Sequence, residues 1–209
     1  MSEVTPTRSA VIELKEERHA LHEGHVFLDE KCLLLAGEIV AELRRCAELE
    51  ANFLPACQRA AAALSAAIGR HGLEELLAYP APGLDQARAE IIPRSLMGVR
   101  LLEARLHLKL SVQPEQAVNA SPEARACREA FADIIEMAAP LAAVSGNLER
   151  LYLEYRRALR RARALQDVLL PELDRTVYEL EARLEDLERE DAIAMHLKTA
   201  SVGAWFKSR

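Results

Sequence analysis

The chain has 209 residues, a formal net charge of −6, 50% apolar residues and only 4% aromatic residues. That balance excludes a polyanion binder acting through overall charge, and an excess of Leu, Ala, Glu and Arg over Gly and aromatics belongs to long helices rather than sheets. No apolar run reaches the roughly 18 residues of a membrane-spanning helix, and the charged start MSEVTPTRSAVIELKEE is no signal peptide, so the chain is expected in the cytoplasm.

The first element is a long helix over 7–69, with Pro6 and Thr7 as its start signal. Alternating steps of three and four from Val11 give Val11, Leu14, Arg18, Leu21, His25, Leu28, Cys32, Leu35, Ile39, Glu42, Cys46, Leu49 and Phe53. Ten of these thirteen are apolar. A sustained 3.5-residue period keeps one stripe facing a partner helix, which is the seam of a left-handed coiled coil. The helix is expected to continue through Pro55, with a kink there, into ACQRAAAALSAAIGR. At 1.5 Å per residue it would be about 90 Å long, which makes it a shaft.

The central insert, 70–121, has a different texture. YPAPGLDQ (79–86) is a turn cluster, and apolar, β-compatible runs flank SLMG within 88–110. That pattern fits either a short β-hairpin or a knotted loop, and Pro93 confines its first half to an edge. SVQPEQAVNASPE (111–123) reads as loop, ending in Ser121 as a helix N-cap with Pro122 at the first helical position.

A second shaft helix spans 122–198, with a bend near Pro140. Its seam reads Leu148, Tyr152, Tyr155, Leu159, Ala162, Gln166, Leu169 and Leu173, then Val177, Leu180, Leu184, Leu187, Asp191 and Ala194. The two consecutive steps of four from Leu169 to Val177 form a stutter, which locally unwinds a coiled coil, and Pro171 lies inside it. The expected fold is one elongated all-α domain over 1–209, in which the terminal helices pair antiparallel around the central insert.

Chemistry is sparse. The four cysteines (Cys32, Cys46, Cys57, Cys127) have no C-x-x-C spacing and read as reduced thiols. GRHG (69–72) lacks the phosphate-binding loop pattern. His19, His22 and His25 lie three apart on a helix, but the third is rotated away from the first, so His25 reads as a polar seam residue rather than a metal ligand. Neither catalytic residues, nor a cofactor, nor a metal site is expected, because no nucleophile has a base placed beside it by any motif.

The strongest local signal is basic. Residues 150–163 hold six Arg against one acid, a net of +5, whereas 167–191 hold ten acids against three Arg, a net of −7. In the seam phase above, Arg156, Arg157, Arg160, Arg161 and Arg163 fall on outward faces. They read either as a solvated face that uses Arg for solubility and intrahelical pairs or as a band for acidic protein loops. Nucleic acid fits less well, since no aromatic platform accompanies them.

Three separated blocks carry a resemblance. PTRSAVIELKEERHALHEGHVFLDEK presents Pro6, Thr7, Arg8, Leu14, Lys15, Gly24, His25, Leu28 and Lys31. SLMGVRL supplies Met97, Gly98, Val99 and Arg100, and RRARALQDVLLPELDRTVYELEARLEDLERED includes Pro171. In order and spacing these are similar to the D subunit of the V-type and archaeal-type (V/A-type) rotary ATPases, the axle of the central stalk. Departures include Cys32 and Leu33 after Lys31, Leu102 where a proline is usual, and Arg163 where an asparagine is usual.

The resemblance implies a non-catalytic rotor shaft, with A and B subunits around it, a small F subunit on its flank and a funnel-like subunit beneath. It would transmit torque between ATP chemistry elsewhere and proton or sodium transport, as a peripheral part of a membrane complex without membrane insertion. The turn Met97 to Arg100 and the arginine band would be its partner surfaces, and Pro171 its change of winding. The competing expectation is a free-standing coiled-coil scaffold or nucleic-acid adaptor.

Overall fold

The structure, a computed structural model, describes residues 5–77, 87–108 and 121–207. The turn cluster expected at 79–86 and most of the loop expected at 111–123 lie outside these residues. Helix α1 is Arg8–Leu77, strands β1 and β2 are Arg88–Leu96 and Val99–His107, helix α2 is Pro122–Ala164, a π-helical turn covers Leu165–Leu169, and helix α3 is Leu170–Lys207. The fold is thus two long helical stretches with a small antiparallel hairpin between them.

Both helix starts follow from capping chemistry. Thr7 accepts the Ala10 amide on Oγ1 at 3.2 Å, and Ser121 accepts the Ala124 amide on Oγ at 3.1 Å. Each satisfies one amide that the first helical turn leaves without a partner. Pro122 stands at the first helical position, where a missing amide costs nothing. Helix α1 passes through Pro55 and extends to Leu77 rather than ending at 69, although Gly72 (φ 73°, ψ 163°) interrupts its helical geometry. Only glycine adopts that backbone cheaply. Helix α2 runs on through Pro140.

The chain divides into two compact units, one made of Met1–Cys32 and Arg157–Arg209, the other of Leu33–Arg156. In the first unit the helices run antiparallel. Arg8 reaches Glu188 at 2.6 Å, Lys15 reaches Glu181 at 2.6 Å and Arg18 reaches Asp174 at 3.1 Å. These exposed pairs fix direction more than they stabilise, at about 0–1 kcal/mol each. On α1, Val11 is buried and Leu14, Leu21, His25 and Leu28 are half-buried, as the 3.5-residue period predicts. Arg18 departs from the seam. Its head group turns out to meet Asp174 and stays exposed, as a long cationic side chain does when it can reach water.

The opposite stripe corrects the sequence reading. Tyr152, Gln166, Leu169, Leu187, Asp191 and Ala194, expected in the seam, are exposed. The inward-facing residues near the start of the stripe are Val144, Asn147, Leu151 and Tyr155. Within the first unit they are Ala158, Ala162 and Leu165, then Leu170, Leu173, Val177, Leu180 and Leu184. Steps of three and four hold throughout except from Leu165 to Leu170.

That five-residue step coincides with the π turn, where the Leu170 amide bonds back to the Leu165 carbonyl. One extra residue is looped into a wider turn, so the apolar stripe resumes in phase beyond it. The irregular step therefore lies at Leu165–Leu169, ahead of the stutter expected from Leu169 to Val177, and its form is an i to i+5 turn. Pro171 follows directly, supplying no amide to the carbonyls of that turn.

In the second unit a core of Leu35, Val99, Leu101 and Leu151 is flanked by Ile39, Leu96 and Tyr155. Farther along α1 the buried positions shrink to Ala56, Ala60 and Ala67, and on α2 to Ala124, Cys127 and Ala132. His71 lies 2.6 Å from the Ser121 hydroxyl, linking the end of α1 to the cap of α2.

The four cysteines are free. Burial pushes the Cys32 and Cys127 thiols up, and burial assisted by Glu50 and Glu42 does the same for Cys46. A thiol that holds its proton more tightly when folded contributes stability below its ordinary value of 9.0, and loses it as pH rises further. Stability measured by urea unfolding should therefore fall from about pH 9 upward, and a variant with these three cysteines changed to Ala should show a flatter decline.

Candidate partner-binding surfaces

The hairpin is built around a two-residue turn. Met97 (φ 48°) and Gly98 (φ 84°) both have positive φ, the mark of a type I′ turn whose twist matches that of the flanking strands. Leu96 and Val99 close it, and the register continues to Arg88 opposite His107. Gly98 fits this backbone without strain, whereas Met97 adopts it at a cost of about 1 kcal/mol.

One face of the hairpin points into the second unit. Leu96, Val99 and Leu101 join the core. Arg94, on the same face, donates through Nη2 to Glu38 and, at 2.8 Å, to Glu42. Glu42 is 3% exposed, and Arg45 lies 3.5 Å from Glu103 beside it. Hydrogen bonding to Glu38 first, and attraction to both carboxylates, hold the Arg94 guanidinium above its ordinary range against the opposing effect of burial. Glu42 stands in the sequence-derived seam as a polar exception. Its partner, 52 residues away on a strand, explains it.

The other anchor is Asn147, fully buried on α2. The Leu102 amide donates to its Oδ1 at 2.8 Å, and its Nδ2 donates to the Leu102 carbonyl at 2.9 Å. Arg150 also donates to Oδ1, at 2.8 Å. The side-chain amide thus pairs with β2 as a neighbouring strand would. Glu136 accepts the Leu108 amide at 2.6 Å farther along. The sequence signal for Asn147 is its spacing from Val144 and Leu151, which a search for apolar residues misses because the side chain is polar.

The four turn residues separate. Val99 is buried in the core and is no surface residue, because strand alternation puts it on the same face as Leu101 and opposite Leu96. Met97 is half-buried, while Gly98 and Arg100 are exposed. In the arginine band, Arg156, Arg157, Arg160, Arg161 and Arg163 are all exposed. The Arg156 guanidinium lies 5.7 Å from the Tyr152 ring centroid, within cation–π range. That contact gives Tyr152 a surface role in place of the seam role expected for it. Pro171 is exposed. Among the described residues no helix is long and apolar enough to cross a membrane.

The sequence that builds these elements matches a known family over almost its whole length. The sequence model of the family described as the ATP synthase D subunit matches residues 10–198. The chain belongs to the ATP synthase D subunit family. Relatives in that family include the V-type ATP synthase D subunit of Thermotoga neapolitana, 26% identical over 189 residues, covering 90% of this chain and 93% of the relative. The A-type ATP synthase D subunit of Pyrococcus horikoshii is 28% identical over 194 residues, covering 90% and 89%. That of Methanopyrus kandleri is 26% identical over 200 residues, covering 93% and 85%. Membership of the D subunit family thus takes in α1, the hairpin, α2 and most of α3 together.

Proposed function

We propose that the chain is the central-stalk rotor shaft of a V/A-type rotary ATPase. It would transmit torque between an A/B catalytic hexamer and a membrane rotor ring, and so couple ATP hydrolysis or synthesis to proton or sodium transport. The observation that carries this reading is the match to the D subunit family across 10–198. In this reading ATP chemistry resides in other subunits, the small F subunit binds the flank, and a funnel-like subunit receives the lower end. The complex sits on the cytoplasmic side of a membrane without this chain entering it.

The physical features suit that work. The antiparallel helices of the first unit resist bending and twisting together, because each is held along its seam by the other. Gly98 and Arg100 are exposed at the hairpin turn beside half-buried Met97, and the arginine band offers positive charge for acidic loops. Co-expression with A, B and F subunits should yield a stoichiometric complex containing this chain. Retention on nucleic acid that falls steeply with salt, in a chain that does not join that complex, would support the adaptor reading instead.

Changing Arg156, Arg157, Arg160, Arg161 and Arg163 together to Ala should weaken assembly or torque, with the largest loss at low salt, since contacts of exposed charges are screened. Normal assembly and turnover of that variant at low salt would reduce the band to a solubilising surface. The π turn and Pro171 are proposed to shape the shaft where the hexamer grips it. Pro171→Ala should then lower the ratio of ions moved to ATP consumed, and an unchanged ratio would remove that role.

A further inference from the structure

Among the described residues β1 pairs only with β2, which leaves its outer edge without a neighbouring strand. Leu102 spends both backbone groups on Asn147, so the pair Pro93 and Leu102 is of the kind that exchanges no ladder bonds. Antiparallel pairs alternate between the two kinds. Hence Ala89, Ile91, Pro93 and Ser95 all direct their backbone groups away from β2. Among the described residues these groups meet no backbone partner outside the hairpin. All four residues are exposed, Ile91 to 60%.

The side chains of these residues share the hairpin face opposite the core, together with half-buried Leu102, Ala104 and Leu106. An apolar face beside an unpaired edge is the template for strand addition, in which main-chain bonds give affinity and alternate side chains give specificity.

A second copy of this chain fits poorly. Antiparallel pairing of two β1 strands, centred on either Ile91 or Pro93, loses two hydrogen bonds because Pro93 has no amide. Centring on Ile91 also sets Arg88 opposite Arg94, a like-charge pair. The exposed charges of the hairpin are Arg88, Arg100 and Arg105 against Glu90, because Arg94 and Glu103 are engaged with α1.

We propose that the outer edge of β1 is a docking site for an extended segment of another protein of the assembly, apolar at alternate positions and acidic at its ends, added as a third strand. The added strand would cover Ile91 and Pro93, and its acidic ends would lie towards Arg88 and Arg100. The proposal rests on the shaft reading for the identity of the surrounding assembly.

Amide hydrogen exchange on the chain alone and in the complex co-expressed with A, B and F subunits tests it. The amides of Ala89, Ile91 and Ser95 should slow about 100-fold on assembly. Ile91→Pro removes only an outward amide, so it should fold with the parent's thermal midpoint and lose the protection at Ala89 and Ser95. Ile91→Glu keeps the amide but sets a negative charge against an acidic apolar strand, and should reduce the protection too. Unchanged exchange at the edge within an assembled complex overturns the docking site alone. Protection accompanied by dimerisation of the isolated chain overturns it in favour of a second copy. A chain that stays outside the complex overturns the shaft reading and this inference with it.

Discussion

Arg94→Met should destabilise the second unit by about 3 kcal/mol, read as a lower urea midpoint and faster exchange of the hairpin amides. The variant keeps much of the aliphatic volume of the side chain and removes its charge. Glu38 and Glu42 are then left facing each other without a cation, and Glu42 is only 3% exposed. Breaking a fully buried pair costs about 3–5 kcal/mol, because the remaining charge stays desolvated. Arg94 is itself 39% exposed, which places the expected value at the low end of that range. Adding Glu42→Gln should recover part of the loss, since it withdraws the more deeply buried charge. If Arg94→Met alone proved neutral, the triad would be a surface feature and the hairpin would be held by its apolar face alone.

Asn147→Leu should cost about 2–3 kcal/mol, although it puts an apolar residue of similar size into a buried site. The reason is that two backbone groups of Leu102 lose their partners together, and each unsatisfied buried group carries about 1–3 kcal/mol of lost solvation. Arg150 loses an acceptor as well. The expected local signature is specific: the Leu102 amide should exchange much faster, whereas Leu101, whose amide lies in the ladder with Arg94, should slow or hold. Asn147→Asp keeps the acceptor for Leu102 and Arg150. It also sets an oxygen against the Leu102 carbonyl, so it should rescue little. Equal acceleration at Leu101 and Leu102 would mean that the whole hairpin detaches rather than one edge.

Much of this molecule is legible from residue order. The helix starts at Thr7 and Ser121 and the seam of α1 follow from local rules, because capping and 3.5-residue periodicity act over a few residues. The same rules narrow the stretch around SLMG to a hairpin or a knotted loop without choosing between them. Where local rules fail, the cause lies at a distance. The phase of α2 departs from its apolar pattern because Asn147 is polar, and its burial makes sense only with Leu102 beside it, 45 residues earlier. Glu42 likewise needs Arg94 to account for its burial.

The candidate surfaces divide in the same way. Arg161 and Arg163 are exposed as expected, but Val99 can be assigned inward only once its register opposite Leu96 is known. The open edge of β1 has no sequence signal beyond Pro93, since which way an amide points depends on register.

The π turn also bears on chain length. An α-helical residue turns the chain by about 100° and advances it by 1.5 Å, so adding or deleting one within a seam would swing every later side chain off its partner. At Leu165–Leu169 the structure already stores one such residue without losing the pairing of Leu173, Val177 and Leu180 with α1's stripe. Removing one residue at this turn would return it to α-helical geometry and still keep both flanking stretches aligned. Elsewhere along the seam, an insertion of three or four residues is accommodated only by a local change in winding of the pair.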